Sequence, residues 1–110
     1  MKQGEIWDVF LDPTLGSEQS GRRPAVIISG NLVNNNIRTL IVCPLTSKLK
    51  NYEGNLVLSP NDRNGLKSKS EVMTIHIRSL AKERFKRKIG KITNSEMSVI
   101  LESLSKIIKY

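Results

Sequence analysis

Arg23 stands directly before Pro24, between a polar stretch, Gly16-Ser17-Glu18-Gln19-Ser20-Gly21-Arg22, and the strand-forming run Ala25-Val26-Ile27-Ile28-Ser29. Pro24 fixes its own φ and biases Arg23 toward extended backbone, so the guanidinium leaves the chain in a defined direction. Such a group offers planar, paired donors to phosphate oxygens, and it stays protonated at any working pH. A second apolar run, Ile41-Val42-Cys43-Pro44-Leu45, ends on the hydroxyls of Thr46 and Ser47. Taken alone, Thr46 reads as a strand-end hydroxyl of the kind that caps a turn. Other chemistries lack their residues. His76 is the only histidine, so no pair of imidazoles can share acid and base roles within the chain. The acids are scattered singly, without the converging carboxylates that a two-metal site needs. Cys43 lies in an apolar run and reads as a buried, inert thiol. No Gly-rich turn ends in Gly-Lys-Ser/Thr. Cations, hydroxyls and backbone amides remain. That inventory suits phosphodiester cleavage in which the RNA's own 2′-hydroxyl attacks while the protein aligns it and stabilises charge at phosphorus.

These residues need a scaffold. Six strand-like runs are expected: Glu5–Leu11, Ala25–Ser29, Thr39–Leu45, Asn55–Ser59, Glu71–Ser79 and Lys88–Ile92. The fifth alternates, with Met73, Ile75 and Ile77 on one face and Thr74, His76 and Arg78 on the other. Turn signals fall at Asn34-Asn35-Asn36, Ser59-Pro60-Asn61-Asp62 and Asn64-Gly65. A connection from Asp12 to Arg22 is long for a hairpin, and such loops on small domains tend to carry function. Near the end, Thr93-x-x-Glu96 forms a capping box ahead of Met97, Ile100, Leu101, Leu104, Ile107 and Ile108, which share one helical face. Short strands closed by one helix predict a mainly β fold with α content, a small barrel whose open side the helix covers. No repeat, linker or composition shift divides the 110 residues, so a single domain is expected over 1–110.

Charge narrows the partners. The net charge is +8. Residues 1–21 set Lys2 against Glu5, Asp8, Asp12 and Glu18, so the excess of cations lies entirely in residues 22–110. Such a field favours polyanions, acidic protein segments or anionic membranes, the last weakest because no strongly amphipathic basic helix occurs. The run Lys82 to Lys91 holds six cations and one Glu and reads as a solvated face or an extended phosphate track. The start is polar, and no long apolar run or secretory signal occurs, so a cytoplasmic protein without a membrane partner is expected. Trp7 reads as core or interface rather than as a stacking platform for bases.

The chain resembles toxins of the MazF/PemK type. Gly4-Glu5-Ile6-Trp7, Asp12-Pro13-Thr14, Gly16-Ser17-Glu18-Gln19 and Gly21-x-Arg23-Pro24-Ala25-Val26 are similar to the family's opening. Ile41-Val42-Cys43-Pro44-Leu45-Thr46-Ser47 resembles its third strand, and Ile75-His76-Ile77-Arg78-Ser79-Leu80 a later one. The resemblance implies an SH3-like, MazF/CcdB-type β-barrel with a C-terminal helix. It implies a sequence-selective, metal-independent endoribonuclease of a toxin–antitoxin system that cleaves single-stranded mRNA and leaves a cyclic phosphate and a 5′-hydroxyl. Arg23 and Thr46 match the family's catalytic Arg and Thr. Ser17, Glu18, Gln19, Ser47, His76 and Arg78 become candidate substrate contacts. No cofactor and no metal are implied. A homodimer is implied, as is an antitoxin whose flexible acidic tail occupies the RNA groove. Some relatives carry an acid two residues beyond the Arg that matches Arg78; Leu80 stands there in this chain. The general base therefore stays open, with Glu18 as a candidate.

Two other functions compete. A gyrase poison of the CcdB type would act through the end of the C-terminal helix, where a Trp-Gly-Ile type ending is expected; this chain ends Ile107-Ile108-Lys109-Tyr110. A plain nucleic-acid-binding barrel would bind with strong salt dependence and leave its ligand intact.

Overall fold

The computed structural model describes residues 1–11 and 22–109. Seven strands and two helices run in the order β1 (Glu5–Phe10), β2 (Arg22–Ile27), α1 (Asn31–Asn36), β3 (Thr39–Thr46), β4 (Val57–Leu58), β5 (Ser70–Val72), β6 (Arg78–Ala81), β7 (Phe85–Lys91) and α2 (Asn94–Ile108). The strands form one curled sheet in the order β4-β5-β3-β2-β1-β7, with β6 also paired to β3. Every pairing among them is antiparallel.

Alternation along the central strands splits the core in two. On β2, Val26 faces a cluster with Ile6, Cys43, Leu45 and Val72, which Met97 and Ile100 of α2 cover. Its neighbours Ala25 and Ile27 face the opposite way, toward Val9, Leu11, Leu40, Val42, Leu80 and Phe85. A period of two allows this only because both faces are buried. Trp7 closes the second cluster edge-on to Phe85, with ring centres 6.0 Å apart. Its indole N–H donates to Glu5 Oε1 at 2.9 Å, so the Trp is spent on packing.

Helix α2 starts where its capping box requires. The amide of Glu96 donates to Thr93 Oγ1 at 3.1 Å, and the amide of Thr93 donates to Glu96 Oε1 at 2.8 Å. Its buried stripe is Met97, Ile100 and Ser103, with Leu104 half-buried; Leu101, Ile107 and Ile108 are exposed.

Three expectations need correction. The expected strand Glu71–Ser79 is two short strands on the same edge of β3, separated by a 3-10 turn at Thr74–His76. Pro44 on β3 explains the break. Its carbonyl accepts from the Met73 amide at 2.9 Å, but a proline has no N–H to return to that edge. The alternation fails with it: Thr74 is fully buried, while Ile75 is exposed. Asn34, Asn35 and Asn36 are not a turn but the end of α1. Asn34 is buried there, its amide donating to Ser29 O at 2.9 Å, so a side-chain bond supplies what weak helix propensity does not. Finally, β2 begins at Arg22, which places Arg23 inside a strand rather than at its mouth. The run Lys82 to Lys91 largely forms the edge strand β7, where charges block further pairing. No described helix is long and apolar enough to cross a membrane.

Candidate active site

Strand β2 meets β3 with Ala25 opposite Pro44 and Val26 opposite Cys43. Beyond that last recorded pair, Arg23 lies two residues before Ala25 on β2 and Thr46 two residues after Pro44 on β3. Both share the alternation of Ala25, Ile27 and Val42, so they belong to the sheet face turned away from α2. There they line a cleft of about 510 Å³ together with Leu11, Pro44, Lys48, Lys50, His76 and Arg78.

The neighbouring arginine behaves differently. Arg22 points to the other face, pairs with Asp8 and lies over the Phe10 ring at 5.9 Å. None of the described carboxylates pairs with Arg23. Two adjacent cations are thus divided by strand alternation, one tying β2 to β1 and the other facing the cleft.

Thr46 does cap a turn, and this orients it. Its Oγ1 accepts from the Lys48 amide at 3.1 Å, leaving the hydroxyl hydrogen to donate into the cleft. His76 reaches the cleft from the 3-10 turn rather than from a strand. Arg78 lines the cleft but also donates to Leu11 O at 2.8 Å, tying β6 to the exit of β1. Ser47, in the bend just past the end of β3, does not line this cleft. It borders a second basic cleft of about 430 Å³ with Arg22, Lys67, Ser68 and Arg87, and Arg23 borders both. Ser17, Glu18 and Gln19 lie outside the described residues.

Lys48 and Lys50 were missed as site residues. Their signal was available: two cations with period two, immediately after Thr46-Ser47. Cys43 is buried, and burial pushes its thiol up to about 12, which leaves no thiolate for chemistry. Among the described residues no three His, Cys, Asp or Glu side chains converge as metal ligands. The donors of such a cleft suit an anion whose oxygens accept from guanidinium, ammonium and hydroxyl groups together.

Residues 2–108 match the family model of the PemK-like, MazF-like toxins of type II toxin-antitoxin systems. The chain belongs to this toxin family. The endoribonuclease MazF9 of Mycobacterium tuberculosis is 36% identical over 109 residues, covering 94% of this chain and 92% of the relative. The crystal structure of MazF from Deinococcus radiodurans superimposes with a TM-score of 0.81 at 25% identity, covering 100% of this chain and 97% of the other. A mycobacterial endoribonuclease solved in complex with its cognate antitoxin has the same fold, with a TM-score of 0.79 at 21% identity over 96% of this chain and 92% of its own. The small barrel with a C-terminal helix expected from the sequence is realised as a curled half-barrel sheet with α2, the MazF-like fold.

Proposed function

We propose that this MazF-like protein is a toxin that cleaves single-stranded mRNA at selected sequences, without a metal ion, and so inhibits translation. The observation that carries the reading is Arg23 and Thr46 lining one cleft with Lys48 and Lys50. In the reaction, the 2′-oxygen of one ribose forms a bond to the adjacent phosphorus as the bond to the 5′-oxygen breaks. The 2′-hydroxyl gives up its proton and the leaving 5′-oxygen takes one, so the products are a cyclic phosphate and a 5′-hydroxyl. Arg23 clamps the phosphorane through two parallel N–H donors, and Thr46 donates its hydroxyl to a non-bridging oxygen. Lys48, Lys50 and Arg78 hold neighbouring phosphates, and His76 contacts the strand at the cleft wall. Ser17, Glu18, Gln19 and Ser47 are proposed as further contacts, with Glu18 the candidate for the base.

The same cationic cleft suits a flexible acidic segment of an antitoxin, which would order on binding and exclude RNA. A toxin acting on mRNA works in the cytoplasm, and we assign it a homodimeric state as in the family. The test is to incubate labelled RNA with the protein in excess EDTA. Cleavage by the wild type and its loss in Arg23→Ala are expected. Intact RNA, or cleavage undiminished in that variant, overturns the reading.

A further inference from the structure

Among the described residues Glu71 is the one carboxylate with no exposed surface, and the cleavage chemistry does not use it. Its Oε1 accepts from the amides of Lys50 at 2.6 Å and Asn51 at 2.8 Å. Its Oε2 accepts from the Tyr52 amide at 3.0 Å and the Asn55 side-chain amide at 2.7 Å. Three consecutive amides converge on one anion because the backbone reverses at Asn51, where φ is 55°. Asn tolerates that left-handed conformation better than most residues, and alternating backbone conformations of this type form an anion-holding nest. Here the anion is supplied by the protein itself.

The segment held in this way begins at the cleft. Lys48 and Lys50 are both exposed and both line it beside Arg23 and Thr46. The far end is anchored as well: Thr74 Oγ1 donates to Asn55 Oδ1 at 2.9 Å and lies 3.1 Å from Ser103 Oγ on α2. We propose that Glu71 is a positioning residue for RNA binding, whose buried carboxylate fixes the 48–55 segment and so presents Lys48 and Lys50 to the substrate's phosphates. The proposal rests on the endoribonuclease reading. Without the carboxylate the two lysines would have to be ordered by the RNA itself, which weakens binding while leaving Arg23 and Thr46 in place.

Glu71→Gln tests this, because the amide keeps the shape but turns an N–H₂ toward groups that only donate. With an RNA that the wild type cuts, the variant should show KM raised about tenfold and kcat near wild type. The plot of log KM against log salt should be shallower, approaching the loss of about 1.4 in slope expected when two single-strand phosphate contacts go. Lys48→Ala/Lys50→Ala should show the same changes, and adding Glu71→Gln to that pair should change KM little further. A merely structural role would lower kcat with the folded fraction, leave the salt slope unaltered and add its effect to the lysine pair. In the wild type, the amides of Lys50, Asn51 and Tyr52 should exchange with solvent at least tenfold more slowly than those of Glu53 and Gly54, although all five residues are exposed. That measurement needs no variant, so the proposal stands exposed even where Glu71→Gln does not fold. Free exchange of the three amides, or an unchanged KM and salt slope in a folded variant, overturns the role of Glu71 alone. A wild type that leaves RNA intact overturns the endoribonuclease reading instead.

Discussion

Arg23 of β2 and Thr46 of β3 line one cleft, on the sheet face that α2 does not cover. Their sharing of a cleft follows from strand alternation, not from proximity in the chain: a slip of one residue would turn one of them to the other face. Arg23→Ala should therefore lower kcat/KM for RNA cleavage by roughly a hundred- to thousandfold without changing the melting temperature by more than a few degrees. Arg23→Lys should recover only part of the loss, since an ammonium keeps the charge without the paired donors. Steady-state cleavage of a labelled RNA measures both.

The Thr46 hydroxyl accepts from the Lys48 amide, and its proposed second role is to donate to the substrate. Thr46→Ser preserves both and should cut within about tenfold of wild type. Thr46→Val preserves shape but loses both, and should fall by about a hundredfold or more. Equal rates in the two variants would remove Thr46 from the mechanism.

The capping box at Thr93 and Glu96 is remote from the cleft and should matter only for stability. Thr93→Ala should cost about 1 kcal/mol, or roughly 4–8 °C in melting temperature for a domain of this size. Cleavage below the transition should be unchanged. Calorimetry and the RNA assay on one preparation decide the point.

Gly90 lies where β7 meets the turn before Leu66. A methyl group built on it would sit 2.4 Å from Asn64 O and 2.5 Å from Arg63 O, both backbone atoms that cannot swing aside. Gly90→Ala should destabilise by about 1–3 kcal/mol, read as a lower urea midpoint.

Burial alone would raise the Glu71 carboxyl, but the bonds from Asn55 and from the amides of Asn51, Lys50 and Tyr52 outweigh it and hold the group below its usual value of 4.5. Its contribution to stability is then complete above the unfolded carboxyl's value and is lost as pH falls through the lower folded one. The stability gap between wild type and Glu71→Gln should be constant from about pH 7 to 5 and close on further acidification. Urea melts across that range measure it, and a gap that widens in acid would contradict the assignment.

Several features were legible along the chain because their causes are local. Thr93 and Glu96 cap a helix through contacts three residues apart, and that helix begins where they place it. Asn64-Gly65 marks a real turn, since Gly65 adopts a φ of 65°. The basic excess and the single histidine narrowed the chemistry before any geometry was known.

Long-range partners decided the rest. The alternation of Met73 to Arg78 promised a strand, but the missing donor of Pro44, on another strand, broke it into a 3-10 turn that buries Thr74 and exposes Ile75. Nothing local to Glu71 announces a buried anion; its four donors lie 16 to 21 residues away. Ser47 and Thr46 are adjacent in sequence yet line different clefts, because β3 ends at Thr46 and the chain bends at Ser47. The sequence by itself determined helix α2, the Asn64-Gly65 turn, the charge and the family. Only the tertiary structure decided which cations share a cleft with Thr46, because that depends on strand register and on which face α2 covers.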